Sequence, residues 1–215
     1  MLSYKSMKKF VINLKRRPDR LKQFEEMCPY TDVEIVYGFD GKNPSNEKEF
    51  GLFKKLSNKL QPGACGCFIS HLRIWKKIID KNLPVVMVFE DDAMFSEKFK
   101  EQIEKTVFPT DGITYFGGRF TENFMIPGPQ SIKINEFICQ SNIVNGYVSI
   151  YHERTTHGYI ITNNIAKLLI EIFNNTTQFD AVDQFIIHKL KEKTPIYNTI
   201  PLLCWSPMIG DSDIR

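Results

Sequence analysis

Pro84-Val85-Val86-Met87-Val88-Phe89-Glu90-Asp91-Asp92 is apolar at every position up to Phe89 and then carries three carboxylates in a row. A strand with no polar face belongs in the middle of a sheet covered on both sides. The carboxylates then stand at its C-terminal end, where open α/β sheets bind ligands in the crevice at which the strand order reverses. In extended backbone Glu90 and Asp92 project to one side and Asp91 to the other, so the first and third can face a common ligand. Adjacent anions repel unless a cation or hydrogen-bond donors offset them, and carboxylate oxygens suit Mg²⁺ or Mn²⁺. Such a triplet also opens solvated turns and caps helices, so the residues alone leave both readings standing.

Outward from this strand the hydrophobic period alternates between that of a strand and that of a helix. Upstream, residues 9–14 read as a strand, 17–27 as a helix, 33–37 as a second strand and 46–59 as a Lys/Glu-rich surface helix. Pro62-Gly63 reads as a break before a helix over 64–81, on which Phe68, Leu72, Trp75 and Ile79 recur at helical spacing. Downstream come a helix over 97–105, a strand over 113–116, an irregular Gly/Pro-rich stretch over 117–137 and strand-like segments over 142–150 and 159–162. Helices over 164–173 and 180–191 and an extended tail follow. This order predicts an α/β fold: one domain over residues 1–215, with a mainly parallel, doubly wound sheet and flanking helices.

Composition removes several classes of function. The 215 residues are 42% hydrophobic and 25% charged, which fits a packed globular chain and not a disordered one. The 28 basic residues nearly balance 25 acidic ones and intermingle with them, so nucleic acid is not an expected partner. The longest apolar run, Leu83 to Phe89, falls far short of the roughly 20 residues of a spanning helix. Residues 1–20 lack the apolar core and small-residue cleavage site of a signal peptide, which makes the cytoplasm the default location. Five cysteines cannot all pair and read as buried free thiols. No Gly-x-Gly-x-x-Gly and no Walker loop occurs, which excludes the usual dinucleotide and P-loop phosphate sites. His152 and His157 are five apart, not four, so the zinc-protease spacing fails.

A phosphate site in this chain therefore needs side chains and metal. Asn13 and Arg17, where the first strand ends, are candidates for nucleotide contact, since arginine grips phosphate with two donors; a strand end and surface charges explain them equally. In Gly38-Phe39-Asp40-Gly41 an aromatic ring could stack on a base, or the segment is simply a turn. His71 shares a helical stripe with Cys67 and Trp75, a pattern of a hydrogen-bonded core histidine more often than of a ligand. Asp180 reads as the N-cap of the last helix, and Asp183, one turn in, as a possible general base. The Gly210-Asp211-Ser212-Asp213-Ile214 segment is either a frayed end or carboxylates folding back over a metal.

Taken together, these pieces resemble glycosyltransferase family 25. The motifs run in order along the chain: Val11-Ile12-Asn13-Leu14 with Arg17 and Arg20, Phe39-Asp40-Gly41, then Gly63-Ala64-Cys65-Gly66-Cys67 with Ser70-His71-Leu72 and Trp75. Phe89-Glu90-Asp91-Asp92, Gly158-Tyr159-Ile160-Ile161, Val182-Asp183-Gln184-Phe185 and Ser212-Asp213-Ile214 follow. The Ser-His-Leu helix joined to a strand ending in Glu-Asp-Asp is the specific combination. The family often has Glu where Ala64 stands.

The resemblance implies a glycosyltransferase A-type domain, whole or part of a longer chain. Its donor would be a UDP-sugar with galactose the expected sugar, its cofactor Mn²⁺ or Mg²⁺, and its acceptor a saccharide or the hydroxylysine of a collagen-like chain, with inversion at the anomeric carbon. It assigns Asp92 to the metal with Asp213 and Asp211 in support. Asn13, Leu14, Arg17, Phe39, Asp40, His71, Glu90 and Asp91 fall to the donor, and Asp183 is the base with Asp180 in reserve. A non-catalytic UDP-sugar-binding domain, or a metal-dependent phosphohydrolase or nucleotidyltransferase, would use the same acidic corner.

Overall fold

The computed structural model describes residues 7–46, 48–119, 131–133, 138–141, 143–144, 147–148, 155–200 and 202–206. The first half runs β1 (Lys8–Asn13), α1 (Pro18–Met27), β2 (Val33–Tyr37), a 3-10 turn (Pro44–Asn46), α2 (Phe50–Ser57), α3 (Pro62–Asp80), β3 (Val85–Glu90), β4 (Met94–Phe95), α4 (Phe99–Lys105) and β5 (Ile113–Tyr115). The second runs β6 (Gly117–Arg119), β7 (Ser131–Lys133), β8 (Ile138–Ser141), β9 (Ile143–Val144), β10 (Tyr147–Val148), β11 (Gly158–Thr162), α5 (Asn163–Asn175), α6 (Val182–Leu190), β12 (Ile196–Thr199) and β13 (Cys204–Ser206).

Eight strands form the central sheet in the order β2-β1-β3-β11-β5-β12-β8-β7. Six point one way; β11 and β8 oppose their neighbours, so the sheet is mainly parallel with two reversals. Simple alternation of strand and helix does not reveal these reversals. A parallel strand needs a covering crossover, whereas the long chain between β6 and β11 lets β11 enter from either end. The expected middle strand is β3, seated between β1 and β11.

Side-chain alternation sorts β1 and β3 onto two cores. Phe10, Ile12, Val86 and Val88 pack beneath Phe68, Leu72 and Trp75 of α3 with α5 and α6 beyond; Val11, Val85, Met87 and Phe89 pack against Phe24 of α1 and Phe99 and Ile103 of α4. Helices thus cover both faces, as the doubly wound reading requires. Each fully buried side chain of this size contributes about 1.5–3 kcal/mol, which is why β3 is fixed at the centre.

Pro62 does not break the chain before α3; it occupies the helix's first turn, where its missing N–H would have had no partner. The far end of α3 is closed by Asn82 at φ 47, with Leu83 N donating to Ile78 O (2.9 Å) and Asn82 N to Ile79 O (3.0 Å). This left-handed cap turns the chain straight into β3. α6 begins at Val182 with Ala181 at the cap and no side-chain cap bond, so Asp180 is not the N-cap. Its carboxylate instead faces His188 Nδ1 at 3.2 Å, both half exposed.

Candidate active site

β1 lies between β2 and β3, so the strand order reverses at β1 and β3, whose C-terminal ends carry Asn13 and Glu90. A hollow opens there, lined by Leu14, Arg16, Arg20, Phe39, Asp40, Cys67, His71, Glu90, Asp91 and Asp92. Two contacts without side chains set its wall. A Cβ on Gly41 would lie 1.8 Å from the Pro62 carbonyl, and one on Gly66 would lie 2.7 Å from the Phe39 carbonyl. Only glycine lets α3 approach the loop after β2 this closely. Ser70 Oγ then ties the two together, accepting from Phe39 N (2.8 Å) and donating to Gly66 O (2.6 Å).

His71 is fully buried and bonded at both nitrogens: Nδ1 lies 2.8 Å from Tyr159 Oη and Nε2 3.1 Å from Glu90 Oε1. Trp75 Nε1 donates to the same Tyr159 oxygen at 3.2 Å. One assignment uses every proton. Trp75 donates to Tyr159, Tyr159 donates to His71 Nδ1, and His71 donates through Nε2 to Glu90. The core-histidine reading of the helical stripe was therefore half the matter, because the buried ring ends on a site carboxylate. Thr156 Oγ1 donates to the same Glu90 Oε1, and Cys67 Sγ lies 3.9 Å from it. Burial works to raise the Glu90 carboxyl, but the His71 bond, the His157 charge and the Thr156 bond outweigh it and hold Glu90 low, hence ionised.

The expected alternation stops at Glu90, where β3 ends; residues 91 and 92 form a turn closed by Ala93 N donating to Glu90 O (3.1 Å), and contacts, not alternation, orient Asp91. Its oxygens take Asn13 Nδ2 (2.8 Å) and Arg20 (2.7 Å), and Arg20 also reaches Asp92 Oδ2 at 2.9 Å. Burial pushes the Asp91 carboxyl up to about 6 against the pull of Arg20 and Asn13, with Asp92 and Glu90 adding to the rise.

Asp92 has one oxygen to spare. Its buried Oδ1 has no hydrogen-bond partner among the described residues; Nε2 of His157 stands 3.4 Å away, and His157 Nδ1 is also unpartnered. Glu90, Asp92 and His157 bring one ligand atom each within 4.8 Å of one another. A buried carboxylate oxygen whose nearest donor is an imidazole nitrogen 3.4 Å away leaves a place for a cation, and two carboxylates with an imidazole suit Mn²⁺. Burial opposes a charge on His157, but Asp92, Glu90 and Asp183 prevail and hold it above the ordinary histidine range.

The other expected residues are placed as follows. Asn13 is buried, its amide spent on Asp91 and on the Arg17 carbonyl (2.9 Å). Arg17 caps α1 and forks onto Asp19; Arg16 and Arg20 line the hollow instead. Phe39 lines it, yet its ring is 1% exposed, stacked on Phe53 at 5.7 Å with Arg73 over it, so it offers no free face to a base. Asp40 holds Arg16 at 2.9 Å. Asp183 sits in the first turn of α6, Oδ1 accepting from Gln184 N (2.8 Å), and its charge is felt by Cys67, Glu90 and His157. Burial raises its carboxyl, with Glu90 adding to the rise. Neither Asp183 nor Asp180, which is paired with His188, is among the residues lining the hollow. Asp211 and Asp213 lie outside the described residues.

His157 was discarded with the failed protease spacing. It reaches the site because β11 is antiparallel: Gly158 pairs with Phe89, so residue 157 falls beside Glu90, whose N–H donates to its carbonyl at 3.1 Å. Its position just before Gly158-Tyr159-Ile160-Ile161 is the one signal the sequence holds for it.

A mainly parallel sheet with an acidic strand end at its order reversal defines a ligand-binding α/β protein. The family model for glycosyltransferase family 25 (LPS biosynthesis protein) matches residues 6–186, and the chain belongs to that family. Procollagen galactosyltransferase 2 of Homo sapiens is 36% identical over 194 residues, covering 82% of this chain and 29% of that protein. A putative glycosyltransferase of Haemophilus influenzae is 27% identical over 183 residues, covering 82% of this chain and 61% of that protein. The chain thus spans under a third of the human relative and about three fifths of the bacterial one. Among solved structures, the inositol-1-phosphate CTP transferase from T. maritima overlays with a TM-score of 0.46 at 10% identity, over 98% of this chain and 92% of that one.

Proposed function

We propose that this chain is a catalytic domain that transfers galactose from UDP-galactose to a hydroxyl of a saccharide or of hydroxylysine in a collagen-like chain, with inversion and with a divalent cation. The observation that carries the reading is the buried Oδ1 of Asp92, which has no hydrogen bond among the described residues and stands with Glu90 and His157 at the C-terminal edge of the central strands. Asp92, Glu90 and His157 would hold the Mn²⁺, which when bound supplies positive charge where the diphosphate leaves. The family description supports a saccharide acceptor, and the human relative's name a collagen-type one.

The remaining work belongs to side chains already in place. The Trp75–Tyr159–His71 chain keeps Glu90 ionised and aimed. Asn13 and Arg20 hold Asp91 and with it the backbone between Glu90 and Asp92. Arg16 and Arg20, held by Asp40 and by Asp91 and Asp92, are the two guanidiniums lining the hollow and the groups placed to fork onto a diphosphate once a cation takes up the acidic charge. Asp183 takes the proton from the acceptor hydroxyl; its raised carboxyl makes it a stronger base than an exposed aspartate, and a step of this kind contributes roughly 10²–10⁴ in rate.

The test is a thermal-shift panel of UDP-sugars with and without Mn²⁺ on wild type and Asp92→Ala, followed by UDP-release assays on the best binder. UDP-galactose should stabilise wild type only with Mn²⁺ and should not stabilise Asp92→Ala. Equal stabilisation without metal would overturn the reading. Binding with neither transfer nor slow hydrolysis would point to a non-catalytic domain, and release of inorganic phosphate or pyrophosphate to a phosphohydrolase or nucleotidyltransferase.

A further inference from the structure

Glu90 faces a second group of metal-type ligands on its α3 side. Cys67 Sγ, His71 Nε2 and Glu90 Oε1 lie within 4.8 Å of one another, with Sγ 3.9 Å and Nε2 3.1 Å from the carboxylate oxygen. Cys67 and His71 are one helical turn apart on α3, so the pair is set by a rigid element and needs no loop to close. All three residues line the hollow, which gives an ion a route in from solvent. A thiol, an imidazole and a carboxylate are the ligand set of zinc, with a fourth position left for water; the set at Glu90, Asp92 and His157 has no sulfur and suits a harder ion.

We propose that Cys67, His71 and Glu90 form a soft-metal site for Zn²⁺ or Cd²⁺, distinct from the Glu90–Asp92–His157 set but sharing Glu90 with it, so that the two ions exclude each other. Binding releases the thiol proton to solvent. It also moves the imidazole proton from Nε2 to Nδ1, where Tyr159 Oη accepts instead of donating. The cost is that Tyr159 Oη then accepts from both Trp75 and His71 while its own buried hydroxyl proton loses its acceptor, set against a metal–thiolate bond. Three donors (His71, Thr156 and Cys67) already converge on Glu90 Oε1, so a cation between sulfur, nitrogen and oxygen replaces protons that the carboxylate is attracting in its absence. Only the exclusion of Mn²⁺ rests on the proposed function; the soft-metal site itself does not.

The experiment titrates the metal-free full chain with Cd²⁺ and follows the sulfur-to-cadmium charge-transfer absorption in the ultraviolet, on wild type, Cys67→Ser, Cys67→Ala and Asp92→Ala. Wild type and Asp92→Ala should show a saturable band of one-thiolate intensity that both Cys67 variants lack, each variant first shown to melt cooperatively. His71→Asn should weaken Cd²⁺ binding by roughly tenfold or more. A band that survives in Cys67→Ser, or is absent from wild type, overturns the site. In a second arm the free-Mn²⁺ electron paramagnetic resonance signal is read as Zn²⁺ is added. Zn²⁺ should release Mn²⁺ from wild type at a concentration roughly tenfold or more below that needed with Cys67→Ser, where it competes only directly for the Glu90–Asp92–His157 set, and equal concentrations would overturn the exclusion. Simultaneous binding of both ions would overturn the shared use of Glu90. A chain that binds no Mn²⁺ at all fails the proposed function, while the Cd²⁺ band still decides the site.

Discussion

The Tyr159 hydroxyl accepts a hydrogen bond from Trp75 Nε1 and donates one to His71 Nδ1, and all three groups are buried. Tyr159→Phe keeps the ring and removes both bonds, leaving an indole N–H and an imidazole nitrogen unpaired in the core. Urea denaturation should show a loss of about 1–3 kcal/mol for that reason. At Asp183 the sign of the pH effect follows from its raised carboxyl. The base must be ionised, so kcat/KM for UDP release should fall, as pH drops, at a higher pH than an ordinary aspartate near 3.8 would give. Asp183→Asn should abolish that acid limb and slow turnover roughly 10²–10⁴-fold while UDP–Mn²⁺ binding persists, which a thermal shift on the same variant reads directly. A pH profile unchanged in Asp183→Asn would move the base elsewhere.

At the scale of elements, the hollow exists because α3 meets the loop after β2 through glycines. Gly66→Ala would drive a Cβ against the Phe39 carbonyl and the Gly41 nitrogen, at 2.7 and 2.8 Å. Backbone cannot swing aside as a side chain does. Gly51, in α2, has open space around its Cβ position. Opposite signs are therefore expected in thermal melts: Gly66→Ala falls and loses UDP affinity, while Gly51→Ala gains up to about 1 kcal/mol from helix propensity. Periodicity made β1, β2, β3 and α3 readable, because each has a strong pattern and a firm end. It could not give the direction of β11, since Gly158-Tyr159-Ile160-Ile161 is buried on both faces and reads alike either way. His157 was lost with that direction. Asp180 was misread because an aspartate before an apolar helix fits an N-cap, whereas here the chain is still extended at Ala181 and the carboxylate has His188 to pair with. Strand alternation pairs Glu90 with Asp92 in the sequence, but the chain turns after Glu90, and it is that turn together with the antiparallel β11 that brings Asp92 beside Glu90 and His157.

For the molecule as a whole, the acidic site sets how stability depends on pH. Asp91, Asp183 and His157 all bind protons more tightly in the folded chain than in the unfolded one. A group with a raised folded value contributes stability that is fully present below its unfolded value and lost as pH rises through the folded one. For Asp91 that window runs from about 6 down to 3.8, worth on the order of 2–3 kcal/mol. Asp32 and Glu34 behave oppositely, their carboxyls lowered by bonds from Lys9 and Lys77; their stability is present above the unfolded values and lost as pH falls through the folded ones. Glu90, also held low, keeps its charge throughout the upper window. The metal-free chain should therefore be most stable near about pH 5, not at neutrality, and weaken again below about pH 4 as the lysine pairs go. Burial is the main cause of the Asp91 rise and the neighbouring Asp92 and Glu90 add to it; on the proposed function Mn²⁺ would relieve that second part. Its stabilising effect in urea should be larger at about pH 7.5 than at about pH 5.5, and Asp91→Asn should flatten the metal-free profile between them. A metal-free midpoint that rises steadily from about pH 5 to 7.5 would show that the carboxylates at the end of β3 are not held against their own repulsion, and the case for a cation there would go with it.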